Sequence, residues 1–351
     1  MIRINICFYL LIILPIFLIG QNYAAIVVLN NNKTVYIDKQ GNTTYTENID
    51  PLINEHICPF KDGFARVRRS KSFEFITPFG QPIFNIKFDK AEDFFEGYAE
   101  VKVEGKWGFI NQKGDIVIKP EFYETYRFSC GLAAITKSPT GKLGYIDTTG
   151  KIVIPLKYDF GHRFINNKAW VSENGKWGLI DRFGKYIISP TFSEAKDMQE
   201  GFSWVKQDGL WGMIDTTGQY YIKPNERNPL TFAQNANNNI FFGFNNGLVK
   251  YQANNKYGFL DKFLKAKIPA IYDEVTNFEN NRSCIKLDGY WGVIDVTGRL
   301  IIQPNYEGLK QGIDGLYAVK DKDNNWGYLN EKNEWVIKPQ FKKATPFQII
   351  K

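Results

Sequence analysis

The chain has 351 residues, and 44 Lys and Arg against 37 Asp and Glu give it a formal net charge of +7. Apolar residues make up 44% of the sequence and aromatic residues 16%. This excludes an intrinsically disordered chain, because such chains are too poor in aromatic residues to bury a core. The 30 Gly and 15 Pro follow no three-residue period, which excludes collagen.

The N-terminal segment is typical of a secretory signal peptide. Arg3 precedes an almost wholly apolar run from Ile4 to Ile19, which would span roughly 24 Å as a helix, short of the roughly 30 Å of a bilayer core. We predict that residues 1–20 are the signal peptide, with cleavage after Gly20. An uncleaved membrane anchor is the alternative. With no second apolar run of that length, the sequence predicts no membrane span after cleavage and a secreted or periplasmic location.

A motif built around Trp-Gly recurs along the rest of the chain. The segment from Lys106 to Asn111, KWGFIN, returns with small changes at Trp177, Trp211, Trp291 and Trp326. Degenerate copies occur at positions 34, 73, 143 and 257, and most spacings are 34 to 36 residues. Self-similarity at such a period is typical of repeat architectures. We therefore divide residues 21–351 into nine modules of one continuous repeat domain, with an Asn-rich connector insertion at 225–246.

Each module contains three predicted strands. The Trp-Gly strand ends in a turn of the form Asp/Asn-x-x-Gly, as in Asp147 to Gly150, where the acid opens the turn and Gly takes the left-handed conformation. Leu264 replaces that Gly in one module, so we expect a distorted turn there. The next strand ends near a Pro such as Pro120, and a closing strand such as Tyr98–Val101 alternates with period two. A connector of roughly ten residues then follows.

These recurring segments, KWGFINQKGDIVIKPEF and GLAAI among them, resemble the WG repeat, a short β-repeat family widespread in bacteria. The resemblance covers residues 25 to 351. It implies a tandem β architecture and no shared enzymatic chemistry, so no catalytic residue is carried over.

Two all-β architectures fit tandem three-stranded antiparallel modules: an open twisted β-solenoid or a closed β-propeller-like ring. Propellers usually have about four to eight blades of four strands. Nine modules of three strands depart from both numbers, so we expect the open solenoid. One face of the closing strands hardly varies, as in Ala99 and Val101, and we assign it to the core.

Residues with catalytic or metal-binding chemistry are scarce. The only histidines are His56 and His162, and neither has a partner pattern for nucleophilic catalysis or zinc binding. The Asp-Thr-Thr-Gly segments at 147 and 215 carry one residue too many for an aspartic-protease motif and occupy the repeat turn. Cys58, Cys130 and Cys284 are odd in number and far apart, which predicts buried thiols and no disulfide framework. We predict no catalytic residue, metal or cofactor, with glycan hydrolysis by connector acids the one residual enzymatic possibility.

Two groups of residues are candidates for ligand binding. The first is aromatic and lies on the variable face of the closing strands, where Trp170 and Trp204 are one repeat apart beside Tyr98 and Phe202. Exposed, these rings would form a platform for a sugar or a protein; otherwise they pack on a neighbouring module. The second is a column of bases after the closing strand, which is either an anion-binding stripe or a solvated edge. Its members proposed as ligand contacts are Arg66, Arg68, Lys102 and Lys206.

The sequence therefore predicts an exported, non-enzymatic β-repeat protein that binds an envelope protein or polysaccharide as an interaction scaffold. Nucleic acid is not an expected partner, since the charge is only mildly basic. A carbohydrate-binding or carbohydrate-acting protein and a purely structural spacer are the alternatives.

Overall fold

The computed structural model describes residues 22–45, 64–69, 71–76, 82–224, 239–312 and 315–350. In these residues 35 strands form nine sheets. The described residues contain no helix, and therefore no helix that could cross a bilayer. The prediction of an all-β repeat fold is confirmed. The predicted signal peptide, Cys58 and residues 225–238 of the Asn-rich connector lie outside the described residues.

We number the sheets 1 to 9 in chain order. Their strands, separated by sheet, are β1 Asn22–Val28, β2 Thr34–Ile37, β3 Thr43–Tyr45; β4 Ala65–Arg69, β5 Ser72–Ile76; β6 Lys90–Ala91, β7 Tyr98–Val103, β8 Lys106–Asn111, β9 Ile116–Phe122; β10 Glu124–Thr125, β11 Leu132–Thr136, β12 Leu143–Asp147, β13 Ile152–Tyr158; β14 Phe160–Gly161, β15 Lys168–Glu173, β16 Lys176–Asp181, β17 Tyr186–Phe192; β18 Glu194–Ala195, β19 Phe202–Gln207, β20 Leu210–Asp215, β21 Tyr220–Ile222; β22 Asn239–Asn245, β23 Leu248–Ala253, β24 Lys256–Asp261, β25 Ala266–Tyr272; β26 Glu274–Val275, β27 Arg282–Leu287, β28 Tyr290–Asp295, β29 Leu300–Tyr306; β30 Gly308–Gln311, β31 Tyr317–Lys320, β32 Trp326–Leu329, β33 Trp335–Phe341. The C-terminal strands β34 Lys343–Ala344 and β35 Gln348–Ile350 join sheet 1.

Each complete sheet has four antiparallel strands, one more than predicted. In sheet 5 the order is β14-β15-β16-β17, in which the last three are the predicted closing, Trp-Gly and Pro strands. The first strand, Phe160–Gly161, comes from the connector and pairs with the closing strand through Phe160↔Ser172 and Gly161↔Val171. The outer strand of one sheet therefore leads directly into the inner strand of the next.

The sheets are arranged in a closed ring. Strand β1 near the N terminus pairs with both C-terminal strands, as in Val27↔Ala344, and Thr345 N donates a 2.9 Å hydrogen bond to Ile26 O. Nine apolar clusters lie between successive sheets, and one of them joins Val27 of sheet 1 to Tyr328 of sheet 9.

Of the two predicted arrangements, the structure thus has the propeller-like ring. The preference for an open solenoid is corrected, because the rotation from one sheet to the next is set by side-chain packing between sheets and not by repeat length. Nine such rotations bring the last sheet back to the first, where the terminal strands pair.

The glycine of each Trp-Gly pair is required by close backbone approach. A Cβ on Gly178 would lie 2.7 Å from Ile188 O and 2.9 Å from Pro190 N. The pairing register between β16 and β17 shifts at this point, between Trp177 and Leu179, which brings the outer strand over the glycine. The same contact occurs at the equivalent glycines 108, 144, 212, 258, 292 and 327.

The Asp-x-x-Gly turns have the predicted geometry. Asp147 Oδ1 accepts hydrogen bonds from Thr149 N at 2.9 Å and Lys151 N at 3.1 Å, and Gly150 has φ of 85°. The expected distortion at Leu264 is wrong: Leu264 adopts φ of 59° and donates N–H to Asp261 O at 2.9 Å, as the glycines do. Its side chain is buried between sheets 6 and 7, and this apolar contact offsets the strain of a left-handed leucine.

Candidate functional site

A cavity of about 1360 Å³ lies at the centre of the ring, on the side of sheets 3 to 7. Its walls come mainly from the short inner strands β6, β10, β14 and β18 and from the residues just after them, with Gly243 of sheet 7 at one end. Because the inner strand is the first strand of each of sheets 3 to 6, equivalent positions of these neighbouring sheets lie side by side around the cavity. The ring thus places side chains from sheets 3 to 6 in one space.

The second residue after the start of each inner strand faces the cavity. In sheets 3 to 6 this position holds Glu92, Tyr126, His162 and Lys196. In sheet 3 Ala91, just before Glu92, and Phe94, two residues after it, pack in the core. One column of the cavity wall therefore carries a different chemical group from each of sheets 3 to 6.

Ion pairs hold several of the charges at the cavity wall. Arg66 Nη1 lies 2.7 Å from Glu92 Oε2, and Arg66 Nε lies 3.3 Å from Asp93 Oδ1. Arg66 Nη1 also donates to the carbonyl of Ala91. The predicted anion-binding residue Arg66 thus ties sheet 2 to the inner strand of sheet 3 and offsets two acids of the cavity wall.

A second charged group lies between sheets 5 and 6. His162 Nδ1 is 2.7 Å from Asp197 Oδ1, and Arg163 Nε is 3.8 Å from Asp197 Oδ2. The His162 side chain beside it holds the pKa of Asp197 below its usual value. The imidazole also packs against Trp177, with ring centroids 4.6 Å apart. These contacts fix the imidazole between an acid and an aromatic ring.

Glu100 is a buried carboxyl group in the cavity wall. Its side chain belongs to the closing strand of sheet 3, is 7% exposed, and accepts a 2.9 Å hydrogen bond from Thr125 Oγ1 of the next sheet. Burial raises its pKa to about 7, and the nearby carboxylate of Glu92 adds to the rise. A group that titrates near neutrality at a cavity wall can donate as well as accept a hydrogen bond there.

Aromatic rings provide the apolar part of the wall. Tyr123 and Tyr126 are 38% and 48% exposed, and the half-buried Trp107 and Trp177 also line the cavity. Burial raises the pKa of Tyr126, as do Glu124 and Glu100. The cavity therefore combines accessible ring faces with hydrogen-bonding groups, which is the usual chemistry of a site for a polar organic ligand.

Lysines of the predicted basic stripe lie over the tryptophan rings of the Trp-Gly strands. Lys102 Nζ lies 5.6 Å from the ring centroid of Trp107, which is its partner across the hairpin. Lys206 has the same relation to Trp211 at 5.6 Å and also lies 2.9 Å from Glu194 Oε1. Arg68 is exposed, 5.9 Å from the Phe73 ring. Of the four proposed bases, Lys102 lines the cavity and the other three do not.

Of the two alternatives for Trp170 and Trp204, the structure shows packing against a neighbouring module. Both side chains are only 2% exposed, because the variable face of each closing strand packs against the next sheet of the ring. Trp170 Nε1 donates a 3.0 Å hydrogen bond to Ser203 Oγ across this interface, while Trp204 reaches the cavity wall. Variation along that face thus reflects complementary packing between sheets.

The remaining two aromatic candidates lie at the far end of the closing strands. Tyr98 packs on Phe128 at 5.0 Å between ring centroids, and Phe202 packs on Tyr221 at 4.9 Å. Neither lines the cavity. Within the described residues no three His, Cys, Asp or Glu side chains are grouped as metal ligands.

Sequence reasoning missed most of the cavity, namely Glu100, Tyr126, His162 and Asp197. For all but Glu100 the signal lies in the connectors, where two variable polar or aromatic positions precede a constant large apolar residue, as in Glu92-Asp93-Phe94 and Lys196-Asp197-Met198. The sequence does not predict a strand in these connectors, because a two-residue strand has no periodicity to detect.

Comparison with known proteins matches this repeat to a family. The WG containing repeat matches residues 75–107, 107–138, 144–177, 177–211, 257–291, 291–326 and 326–348. The chain belongs to the WG containing repeat family. The resemblance stated from the Trp-Gly motifs is therefore confirmed, and the matched segments begin and end near the tryptophans of this WG-repeat ring.

Solved structures resemble the ring in fold. A crystal structure described as the eukaryotic initiation factor superposes with a TM-score of 0.61 at 10% identity, over 93% of this chain and 98% of that chain. BamB from Moraxella catarrhalis gives a TM-score of 0.41 at 10% identity, over 76% of this chain and 93% of that chain. The first likeness, at so low an identity, is one of fold alone. No curated protein matches the sequence.

Proposed function

We propose that this WG-repeat protein is a non-enzymatic binding protein of the cell envelope, with its ligand held in the central cavity. The observation that carries the proposal is the cavity itself, to which sheets 3 to 6 contribute different side chains in front of an apolar core. Exposed rings and polar groups converge there, as they do in ligand sites generally. The apolar N-terminal segment and the residues that follow it support export.

A pull-down from envelope extract tests the proposal. The native chain is compared with a Tyr123→Ala/Tyr126→Ala variant, which removes two exposed rings of the cavity wall. Tyr290→Ala is the matched control, since Tyr290 is 46% exposed and lies outside the cavity lining. Capture of a partner by the native chain and the control, and not by the double variant, is the expected result. Equal capture by all three proteins would contradict a cavity site.

Absence of capture by any of the proteins would favour the structural-spacer alternative. That alternative also predicts that stability falls in steps as modules are deleted, because each sheet contacts only its neighbours. In a closed ring the deletion of a single module should already lower the stability strongly, because the sheets at the two ends of the chain could then no longer meet.

A carbohydrate ligand is the second candidate, favoured by the exposed faces of Tyr123 and Tyr126 beside hydrogen-bonding groups. Sugar rings stack on such faces while their hydroxyls bond to groups such as Glu100 and His162. We expect the native chain and Tyr290→Ala to bind the same members of a glycan array, and Tyr123→Ala/Tyr126→Ala to lose them. Binding that survives in the double variant would remove this candidate.

A further inference from the structure

Two equivalent turns on one face of the ring differ from the other turns of the repeat. Each joins the Trp-Gly strand to the outer strand, and together they are Asp181-Arg182-Phe183-Gly184-Lys185 in sheet 5 and Asp261-Lys262-Phe263-Leu264-Lys265 in sheet 7. Phe183 is 81% exposed and Phe263 is 59% exposed. Since the turns hold the same place in two sheets of one ring, both phenylalanines project from the same face.

The turn does not need phenylalanine at this position. In three other sheets the residue is Thr149, Thr217 or Thr297, and its hydroxyl donates to the turn aspartate at 2.6, 2.7 and 2.6 Å respectively. Phenylalanine cannot make this bond, yet Phe183 N and Phe263 N keep their backbone bonds to Asp181 Oδ1 and Asp261 Oδ1, at 2.9 and 2.8 Å. The two phenylalanines therefore expose apolar rings and lose a hydrogen bond without any gain to the turn.

Cations flank both rings. Arg182 and Lys185 stand on either side of Phe183, Lys262 and Lys265 on either side of Phe263, and all four residues are exposed. The Arg182 guanidinium lies 6.0 Å from the Phe183 ring centroid and Lys262 Nζ lies 5.2 Å from that of Phe263. Each turn has two cations against one carboxylate, and that carboxylate accepts the backbone N–H groups of its own turn.

Exposed phenylalanines flanked by cations are suited to bind a membrane surface that contains anionic lipid. A protruding ring enters the boundary between headgroups and acyl chains, while flanking cations remain at the level of the anionic headgroups. The two phenylalanines protrude from the ring face and do not line a groove. Protruding side chains of this kind suit insertion into a deformable lipid surface better than binding to a rigid protein pocket. Tyr221 of the intervening sheet 6, whose ring is 6.0 Å from that of Phe263, extends the apolar strip between the two turns.

We propose that this face of the ring docks on anionic membrane surfaces through the Phe183 and Phe263 turns. Two turns reach the same plane, so attachment at one raises the effective concentration of the other. The docking surface consists of these two turns and is separate from the central cavity, so a ligand in the cavity and a membrane under the ring can be bound together.

Vesicle co-sedimentation tests the docking surface. The full 351-residue chain is mixed with phosphatidylcholine vesicles that contain or lack phosphatidylglycerol, and the difference between the two is the readout. The N-terminal segment is the same in every variant, so a difference in binding between variants does not come from it. We expect salt-sensitive binding that requires phosphatidylglycerol.

The repeat itself provides the test variant. Phe183→Thr/Phe263→Thr installs the residue that other turns have, so the fold should be retained while vesicle binding weakens by at least about tenfold. Arg182→Gln/Lys262→Gln should weaken binding on the order of tenfold at low salt. Tyr290→Thr, which removes an exposed aromatic ring at the hairpin end of its sheet away from these turns, is the matched control and should bind as the native chain does.

Three outcomes would overturn the proposal. One is the absence of phosphatidylglycerol-dependent sedimentation, and another is equal binding by the native chain and Phe183→Thr/Phe263→Thr. The third is retention on an immobilised acidic polypeptide without vesicle binding, which would assign the cationic turns to a protein partner. None of these results depends on whether the central cavity binds a ligand.

Discussion

Glu100 is a single carboxyl group whose ionisation opposes folding. Its pKa is raised from 4.5 to about 7 by burial, so the folded protein holds this proton more tightly than the unfolded chain. The free energy of unfolding must therefore decrease as the pH rises from about 4.5 to about 7, and this contribution is constant above that range.

We predict that Glu100→Gln removes this loss. The amide has nearly the shape of the protonated acid and keeps an oxygen for Thr125, so the variant should equal the native protein near pH 4.5 and exceed it by up to about 3 kcal/mol near pH 8. Denaturant titrations at the two pH values measure the difference. Glu124→Gln, an exposed neighbour, is the control, and a matching gain in that variant would contradict the buried origin of the effect.

For Trp170 the sequence predicts the face of the strand on which the side chain lies, but not what that face contacts. Alternation placed its side chain on the correct face of the closing strand, but only the ring shows that this face meets another sheet. We predict that Trp170→Ala lowers the free energy of unfolding by about 3 to 5 kcal/mol, because a large buried side chain and its hydrogen bond to Ser203 are lost.

The control for this prediction is Phe183→Thr, which alters an exposed ring and should change the free energy of unfolding by less than about 0.5 kcal/mol. If Trp170→Ala proved as mild as Phe183→Thr in the same denaturation experiment, the packing seen between sheets 5 and 6 would be disproved.

At the level of the strand, the Trp-Gly pair marks the point where the outer strand crosses close to its neighbour. We predict that Gly178→Ala lowers the free energy of unfolding by about 2 to 3 kcal/mol, because the added methyl group meets the backbone of residues 188 to 190. Gly175→Ala is the matched comparison. Its Cβ meets no atom within 4 Å, so only the strain of φ at 72° applies, about 1 to 2 kcal/mol.

Thermal or denaturant midpoints of the two alanine variants provide the measurement. A larger loss at Gly175 than at Gly178 would show that the glycine of the motif serves some purpose other than close approach of the outer strand.

Strand positions and turns were largely predictable, because alternation and Asp-x-x-Gly are local signals. The three long strands of each module are where the repeat places them, and the turn bonds at Asp147 recur at Asp181 and Asp215. The inner strands were not predictable, since two residues such as Glu194–Ala195 carry no period. The cavity depends on those strands, so the candidate site was missed together with them.

At the scale of the whole molecule, the ring closes through a few contacts between residues far apart in sequence. Lys342 N donates to Val28 O at 2.7 Å, and Ile26 N donates to Thr345 Oγ1 at 2.9 Å. Tyr328 OH of sheet 9 donates to Thr345 O at 2.8 Å and so ties this C-terminal segment to its own sheet neighbour. Phe347 completes the apolar cluster between sheets 9 and 1. Closure could not be predicted from the repeat, because it depends on the summed rotation of all nine sheets.

We predict that a chain ending at Phe341 fails to close. Removing residues 342–351 exposes the edge of β1 and part of the cluster around Val27, so the truncated protein should aggregate and be cleaved faster by proteases. Size-exclusion chromatography and limited proteolysis measure the two effects. Thr345→Val, which removes one hydroxyl, should be milder, and a monomeric, protease-resistant truncated chain would refute closure by β34 and β35.

Pairing between β1 and the C-terminal strands also sets the order of events during synthesis. The ribosome makes residues 22–28 long before their partners at 343–350, so this edge of β1 stays unpaired while the intervening modules are synthesised. A growing chain can form sheets 3 to 8 one after another, but the circle is completed only after the final strand is released. An interrupted chain would then expose an unpaired β-strand edge, which chaperones and proteases can bind.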